Sequence, residues 1–423
     1  MKTLLALALC TAAPAMAAPV DLVTLYKDLH THPELSLQEV RSAGIMATEA
    51  RAAGFTVTEK VGGTGVVAVM KNGPGPTVLV RADMDGLPVK EATGLAYASA
   101  ALGKAPDGGM TPVMHACGHD IHMTVWIGTA RALAAAKDKW SGTIVMIGQP
   151  AEEVSRGAAD MIADGLFTRF PKPDFALALH DDSRIPAGTV SVPQDRALST
   201  ATMMDMTVRG VGGHGASPAT TKDPVLLASR IVTGLQSLVS RENDPFHPAV
   251  VTVGAIHGGT KHNIIPDEVR LQLTIRSYDM AQQQRILDGI ARVARGEAIA
   301  AGIPENLMPQ ISNSAATPPT LNTPELAARV QARFVQTLGA DRVITLDPSM
   351  ASEDFNLFGT VAKIPSVIYW LGGARRDKWD AAQSGGPAIP SLHNSGWAPD
   401  PAPTIATGVT TMTDAVMMLL PRQ

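Results

Sequence analysis

The sequence predicts an α/β protein interrupted by a second, α+β domain. Short apolar runs that end in polar clusters alternate with helical patterns up to about residue 200. From there to about residue 315 the order becomes β-α-β-β-α-β, the ferredoxin-like arrangement. Helix and strand signals of the first kind then resume and complete the interrupted domain. The boundaries read as 18–198 with 316–423 for the outer domain and 199–315 for the inserted one.

Residues 1–17 read as a signal peptide: Lys2 gives the positive end, Leu4 to Leu9 the apolar stretch, and Ala15-Met16-Ala17 the cleavage site, so the mature chain starts at Ala18. The stretch is too short for a membrane anchor and no second span follows, and bulky Leu9 before Cys10 argues against a lipoprotein. The expected location is outside the cytoplasm, periplasmic or secreted, with no membrane attachment after signal removal. Thr77 to Arg81 is a strand running into Asp83-Met84-Asp85, and His119 to about Lys137 a helix. Thr143 to Ile147 is a strand running into Gln149-Pro150-Ala151-Glu152-Glu153, and Gly157 to Phe167 a helix. Phe175 to Leu179 is a strand ending at His180-Asp181-Asp182. Continuous apolar strands of this kind suit a sheet covered by helices, whose ligand groups gather at strand ends.

In the insertion, Met203 to Val208, Ala249 to Ile256, Val269 to Ile275 and Met308 to Ser312 read as strands, with helices at Asp223 to Ser240 and Met280 to Ala301. A helix at Thr323 to Leu338, a strand at Ser366 to Leu371 and a helix at Pro403 to Leu420 finish the chain.

The 423 residues are 45% hydrophobic and 17% charged, and the net charge of -4 gives no electrostatic case for nucleic acid or an anionic membrane. Without the signal, Cys117 is the one cysteine left, so no intramolecular disulfide can form and the thiol needs another reason to be there.

Cys117-Gly118-His119 offers a thiolate and an imidazole two positions apart, both good ligands for zinc-like ions. A buried cysteine beside a surface histidine is the plain alternative, but His115 and His122 crowd the same stretch. In Glu152-Glu153 two adjacent carboxylates repel unless a positive charge lies near. One can ligate a metal while the other takes a proton from metal-activated water. His180 follows a strand and His393 sits in a polar loop. Cys117, His119, Glu153, His180 and His393 thus supply five ligand groups around one sheet edge, enough for two ions to share.

These residues lie in longer stretches: Leu29-His30-Thr31-His32-Pro33-Glu34-Leu35-Ser36, Arg81-Ala82-Asp83-Met84-Asp85-Gly86-Leu87-Pro88, His115-Ala116-Cys117-Gly118-His119-Asp120, Gln149-Pro150-Ala151-Glu152-Glu153 and Gly212-Gly213-His214-Gly215-Ala216-Ser217-Pro218. Asn263-Ile264-Ile265-Pro266-Asp267, Ser352-Glu353-Asp354-Phe355 and Leu392-His393-Asn394 follow in order. Together they resemble the metallopeptidase-like amidohydrolases that include aminoacylases, hippurate hydrolases and indole-acetyl-amino-acid (auxin conjugate) hydrolases. The resemblance implies a zinc-peptidase-like catalytic domain with an inserted lid and dimerisation domain, hence a homodimer or higher homo-oligomer. It implies hydrolysis of N-acyl amino acids or related conjugates with two divalent ions per subunit, zinc or manganese first, cobalt or nickel admitted. It gives Cys117, His119, Glu153, His180 and His393 as ligands, Glu152 as general base, and His214 as a carbonyl-polarising residue, often across the dimer interface. Asn263 and Arg276 match positions that hold the substrate's polar end; a strand-end salt bridge is the alternative for Arg276. Asp83 and Asp85 are expected behind the ligands, and His30 and His32 to pack the first helix.

Two departures stand out: Ala219 where relatives carry histidine, and Asp181-Asp182 where an apolar residue usually follows the ligand. A dipeptidase of the same mechanism is the neighbouring reading. A catalytically inactive exported binding protein is the distant one, and no ligand or base is missing to support it.

Overall fold

The computed structural model describes residues 20–314 and 316–422. The signal-peptide reading therefore lies outside the described residues. Among those residues no helix is long and apolar enough to cross a membrane.

A seven-stranded sheet organises most of the chain. Its spatial order is Thr56–Val61, Gly65–Asn72, Gly142–Gln149, Thr77–Asp83, Phe175–Pro186, Ser366–Ala374 and Val190–Ser191. The four strands from Gly142–Gln149 to Ser366–Ala374 run parallel, and antiparallel strands close both margins. The parallel strands are buried on both faces, as near-continuous Val, Ile, Leu and Met demand. Helices Leu22–Thr31, Val40–Ala52, His119–Ala135, Pro324–Leu338 and Pro401–Leu419 cover one face. Shorter helices at Gly157–Ala163, Leu166–Arg169 and Asn356–Ala362 cover the other.

After Thr77–Asp83 the chain adds Gly142–Gln149 on one side; it then crosses back to add Phe175–Pro186 on the other. The gap between Thr77–Asp83 and Phe175–Pro186 is thus a topological switch point, where parallel sheets place ligand sites. Pairing between these two strands stops at Arg81 and Ala178, so they part where the polar residues begin.

Two expected elements differ. The strand expected to end at Leu179 continues to Pro186, because Ser366–Ala374 keeps pairing with it through Trp370↔His180 and Gly372↔Asp182. His180 thus lies inside a strand, which fixes its direction. The single helix expected from Gly157 to Phe167 is two, broken at Gly165, whose φ of 88° is left-handed.

Residues 202 to 313 carry a separate sheet in the order Ala249–Gly258, Glu268–Ser277, Thr202–Arg209, Gln310–Asn313, antiparallel throughout. This is the ferredoxin-like order. One face packs on helices Pro224–Ser237 and Met280–Ala300 through Met204, Met206, Leu271, Leu273, Ile231 and Ile290. Both helices start cleanly: the Asp223 carboxylate accepts from Val225 and Leu226 N–H, and Asp279 from Ala281 and Gln282.

Candidate metal centre and active site

Cys117 and His119 sit where the chain enters helix His119–Ala135. Gly118 between them has φ of 76°, and a Cβ there would stand 2.3 Å from the Asp181 carboxyl carbon. Glycine lets the helix start press against the strand that carries His180. Glu152 and Glu153 lie just past the end of Gly142–Gln149, and His393 arrives on a distant loop with a left-handed φ of 65°.

The five expected ligands meet. Cys117 Sγ is 3.6 Å from His180 Nε2 and 3.2 Å from His393 Nε2. Glu153 Oε1 is 3.6 Å from His393 Nε2 and 3.9 Å from His119 Nε2. Several overlapping groups have ligand atoms all within 4.8 Å of one another, among them Cys117 with His119 and His180, Cys117 with Glu153 and His393, His119 with Glu152 and Glu153, Asp83 with His119 and His122, and His122 with His180 and Asp181.

The donor set fits a cation. Both ring nitrogens of His119 and Glu153 Oε1 are buried with no hydrogen-bond partner among the described residues. Buried polar atoms are seldom left so. Burial works against a charged His119, yet Asp83 and Asp85 outweigh it and raise the imidazole to about 9. Burial likewise opposes a charged His180, but Asp181 raises it to about 9. Burial pushes Glu153 up to about 7, and pushes the Cys117 thiol up with help from Glu153. These four groups hold their protons firmly, whereas burial lowers the fifth, His393, to about 4. A divalent cation reverses the tendency of the four.

Around this ring a second set of groups fixes geometry. His180 Nδ1 lies 2.8 Å from the Asp181 carbonyl, to which it donates, so that Nε2 faces Cys117. Asp85 lies 3.4 Å from His119 Nδ1 and accepts the backbone N–H of Glu152 and of Glu153 at 3.2 and 3.0 Å. Asp83 and Asp85 thus stand behind histidines, the usual means of setting ring orientation. His122 is spent elsewhere: Nδ1 meets Asp83 at 2.5 Å, and Nε2 accepts the Asp181 N–H. His115 is fully buried with neither nitrogen paired among the described residues, and burial lowers it to about 4.

The acidic departure sets one carboxylate beside His180 and one at the cavity wall. Asp181 Oδ1 lies 3.4 Å from both His122 Nε2 and His180 Nδ1, and Oδ2 accepts the Trp397 indole N–H. Asp182 is clamped bidentately by Arg184, whose guanidinium lies over Trp370.

The centre opens into a cavity of about 1280 Å³ lined by Glu152, His180, Arg276, Met203, Trp370 and His393 among others. Arg276 is half-buried and, among the described residues, meets only the Met350 carbonyl at 3.3 Å, with no carboxylate beside it. The salt-bridge alternative is therefore not what the structure shows. His214 and Asn263 are exposed and lie outside the cavity lining, in the small ladder Gly213–His214 with Ile264–Ile265 and the loop before it. Ala219 sits in an exposed turn nearby.

A buried charge network centred on Arg81, not evident from the sequence, joins Asp83 to Glu353 and Gln149. The Arg81 guanidinium binds Asp83 at 2.6 Å, Glu353 at 2.7 and 3.0 Å and Gln149 at 2.8 Å, and Gln149 in turn donates to Asp354. A hint of it lies in the Ser352-Glu353-Asp354-Phe355 stretch. His30 packs helix Leu22–Thr31, and is also pinched between Asp120 at 2.6 Å and Glu91 at 3.1 Å.

Residues 79–384 match the family model described as peptidase family M20/M25/M40. The chain belongs to that family. It is 34% identical over 353 residues to an IAA-amino acid hydrolase ILR1-like 2 of Arabidopsis thaliana, covering 83% of this chain and 76% of the relative. It is 33% identical to an N-acetyldiaminopimelate deacetylase of Leuconostoc citreum, covering 83% and 88%. Among solved structures, a Bacillus subtilis protein described as a dinuclear metal-binding peptidase of the M20 family superposes with a TM-score of 0.75 at 25% identity, over 94% of this chain and 97% of that one. The chain is a metal-dependent hydrolase of amide bonds, and the cluster at Cys117 is its candidate metal centre.

Proposed function

We propose that this protein hydrolyses the amide bond of N-acyl amino acids, with two divalent ions held by Cys117, His119, Glu153, His180 and His393. The observation that carries this reading is Glu152. Its carboxyl group borders the ligand ring and the cavity, is 8% exposed, and makes no side-chain hydrogen bond among the described residues. A carboxylate left free beside a cation site is placed to move a proton. Bound metal there supplies a water whose pKa falls to about 7 and polarises the scissile carbonyl. Glu152 takes the water's proton and passes it to the departing amine, becoming free again. Arg276, which has no carboxylate partner among the described residues, offers its planar fork to the substrate's carboxylate.

His214 and Asn263 are exposed and stand outside the lining of their own chain's cavity. We assign them to the active site of a second copy, the inserted domain serving as lid and dimer contact. The first residues of the chain direct export, and the ions are zinc or manganese, with cobalt or nickel tolerated by the same donor set.

The test is release of free amino acid from N-acetyl, N-benzoyl and indole-acetyl amino acids and from dipeptides, with metal content measured on the same sample. Activity that chelation removes and metal restores is expected on at least one acyl class, and turnover of dipeptides alone would replace the acylase reading. A metal-replete protein inactive on the whole panel would overturn both. Glu152→Ala should abolish turnover while the metal stays bound; retained turnover would remove Glu152 from its role.

A further inference from the structure

The Glu152–Glu153 turn is held from outside by two buried carboxylates. Three successive backbone N–H groups point at them: Glu152 and Glu153 at Asp85, and Ala151 at Glu39 Oε1, 2.8 Å away. Ala151 needs such a hold. Its φ is 51°, left-handed, where a side chain crowds the backbone. This strained residue immediately precedes the base.

Glu39 is 0% exposed. Oε1 also accepts the Leu37 N–H at 2.8 Å, and Oε2 meets the Thr64 hydroxyl at 2.6 Å. Glu39 stands directly before helix Val40–Ala52, where a carboxylate ordinarily caps the free N–H groups of the first turn. That task is done by another residue: Glu34 accepts Arg41 and Ser42 N–H at 2.9 and 2.8 Å. The Glu39 carboxylate is thereby released to cross 112 residues of sequence to Ala151.

We propose that Glu39 is a positioning residue for the reaction. By accepting the Ala151 N–H, it locks the left-handed turn that aims Glu152. The inference rests on the reading of Glu152 as the base. Glu39 touches neither substrate nor ligand; it acts through the backbone of residue 151. What the role demands is an acceptor at one place, not a charge.

Glu39→Asp keeps the charge and withdraws the oxygens by about one C–C bond, 1.5 Å. Misplacement of a reacting group by 1 Å can lower a rate on the order of 10²-fold. For an N-acetyl amino acid that the wild type cleaves, E39D should lower kcat about ten- to a hundredfold, with KM within about twofold and metal content unchanged. Glu39→Gln keeps the accepting oxygen, and its amide can donate to Thr64; it should stay within about threefold of wild type. Amide hydrogen exchange at Ala151 should speed up in E39D and not in E39Q. The proposal is overturned by wild-type kcat in E39D, by a loss carried in KM or in metal content, or by E39Q as slow as E39D. Failure of the underlying reading shows differently: the wild type is inactive, or Glu152→Ala stays active.

Discussion

Replacing Gly118 by alanine tests whether the start of helix His119–Ala135 is built around one missing atom. Two costs add. The residue holds φ of 76°, and a left-handed conformation costs a non-glycine residue about 1–2 kcal/mol. The new Cβ would also stand 2.3–2.4 Å from all three carboxyl atoms of Asp181, where ordinary contact begins near 3.4 Å. The carboxylate must retreat by roughly 1 Å, beyond the range of a carbon contact's shallow well. It then loses the Trp397 N–H at 3.3 Å and its place beside His122. A hydrogen bond to a charged group contributes about 1.5–3 kcal/mol. Together the two costs come to about 2.5–5 kcal/mol. Gly94 is the control: its φ of 73° is nearly the same, but a Cβ there meets nothing within 4 Å. Gly94→Ala should therefore show the backbone cost alone, about 1–2 kcal/mol. Urea unfolding of both variants, metal-free and metal-loaded, reads the difference. Equal losses within about 0.5 kcal/mol would refute the close-packing argument.

Two further outcomes follow from the buried charges. Burial opposes a charged His30, but Asp120 and Glu91 outweigh it and raise the imidazole to about 10. The folded value is above the unfolded one, so the stabilisation is complete below about pH 6.5 and is lost as pH rises through about 10. The stability gap between wild type and His30→Gln, measured by urea at pH 6, 8 and 10, should shrink steadily; a constant gap would show that no charge is involved. Arg81→Met strands Asp83 and Glu353 without their partner and should cost about 3–5 kcal/mol. Adding Glu353→Gln should restore part of it, and strict additivity of the two losses would argue against a shared network.

Much of the frame was legible because its signals are local. Gly142–Gln149 and Ser366–Ala374 are unbroken apolar runs, and the inserted domain alternates cleanly, as Met204, Met206 and Val208 show. The margin strand Thr56–Val61 carries Glu59 and Lys60 and is exposed along most of its length, so it sends no burial pattern. The extension of the His180 strand came from a neighbour nearly 190 residues later, which no window of sequence reports. At the site, ligand chemistry betrayed Cys117, His119, Glu153, His180 and His393 by residue type. Arg81, Glu34 and Glu39 stayed silent for the opposite reason. Arginine or glutamate in a sequence is read as solvated surface, and only tertiary packing shows Arg81 and Glu39 sealed inside with their partners and Glu34 half-buried over a helix start.

The contact between Cys117 and His393 spans 276 residues, and Arg81 reaches Glu353 across 272. Pairings this remote form late, since the loop must close before it gains anything. The inserted domain lies wholly inside that loop and has its own nucleus of Met, Leu and Ile, so it can condense first and draw the two flanking segments together. During synthesis His393 follows Cys117 by 276 residues. The candidate metal centre is therefore assembled only after the inserted domain has been made.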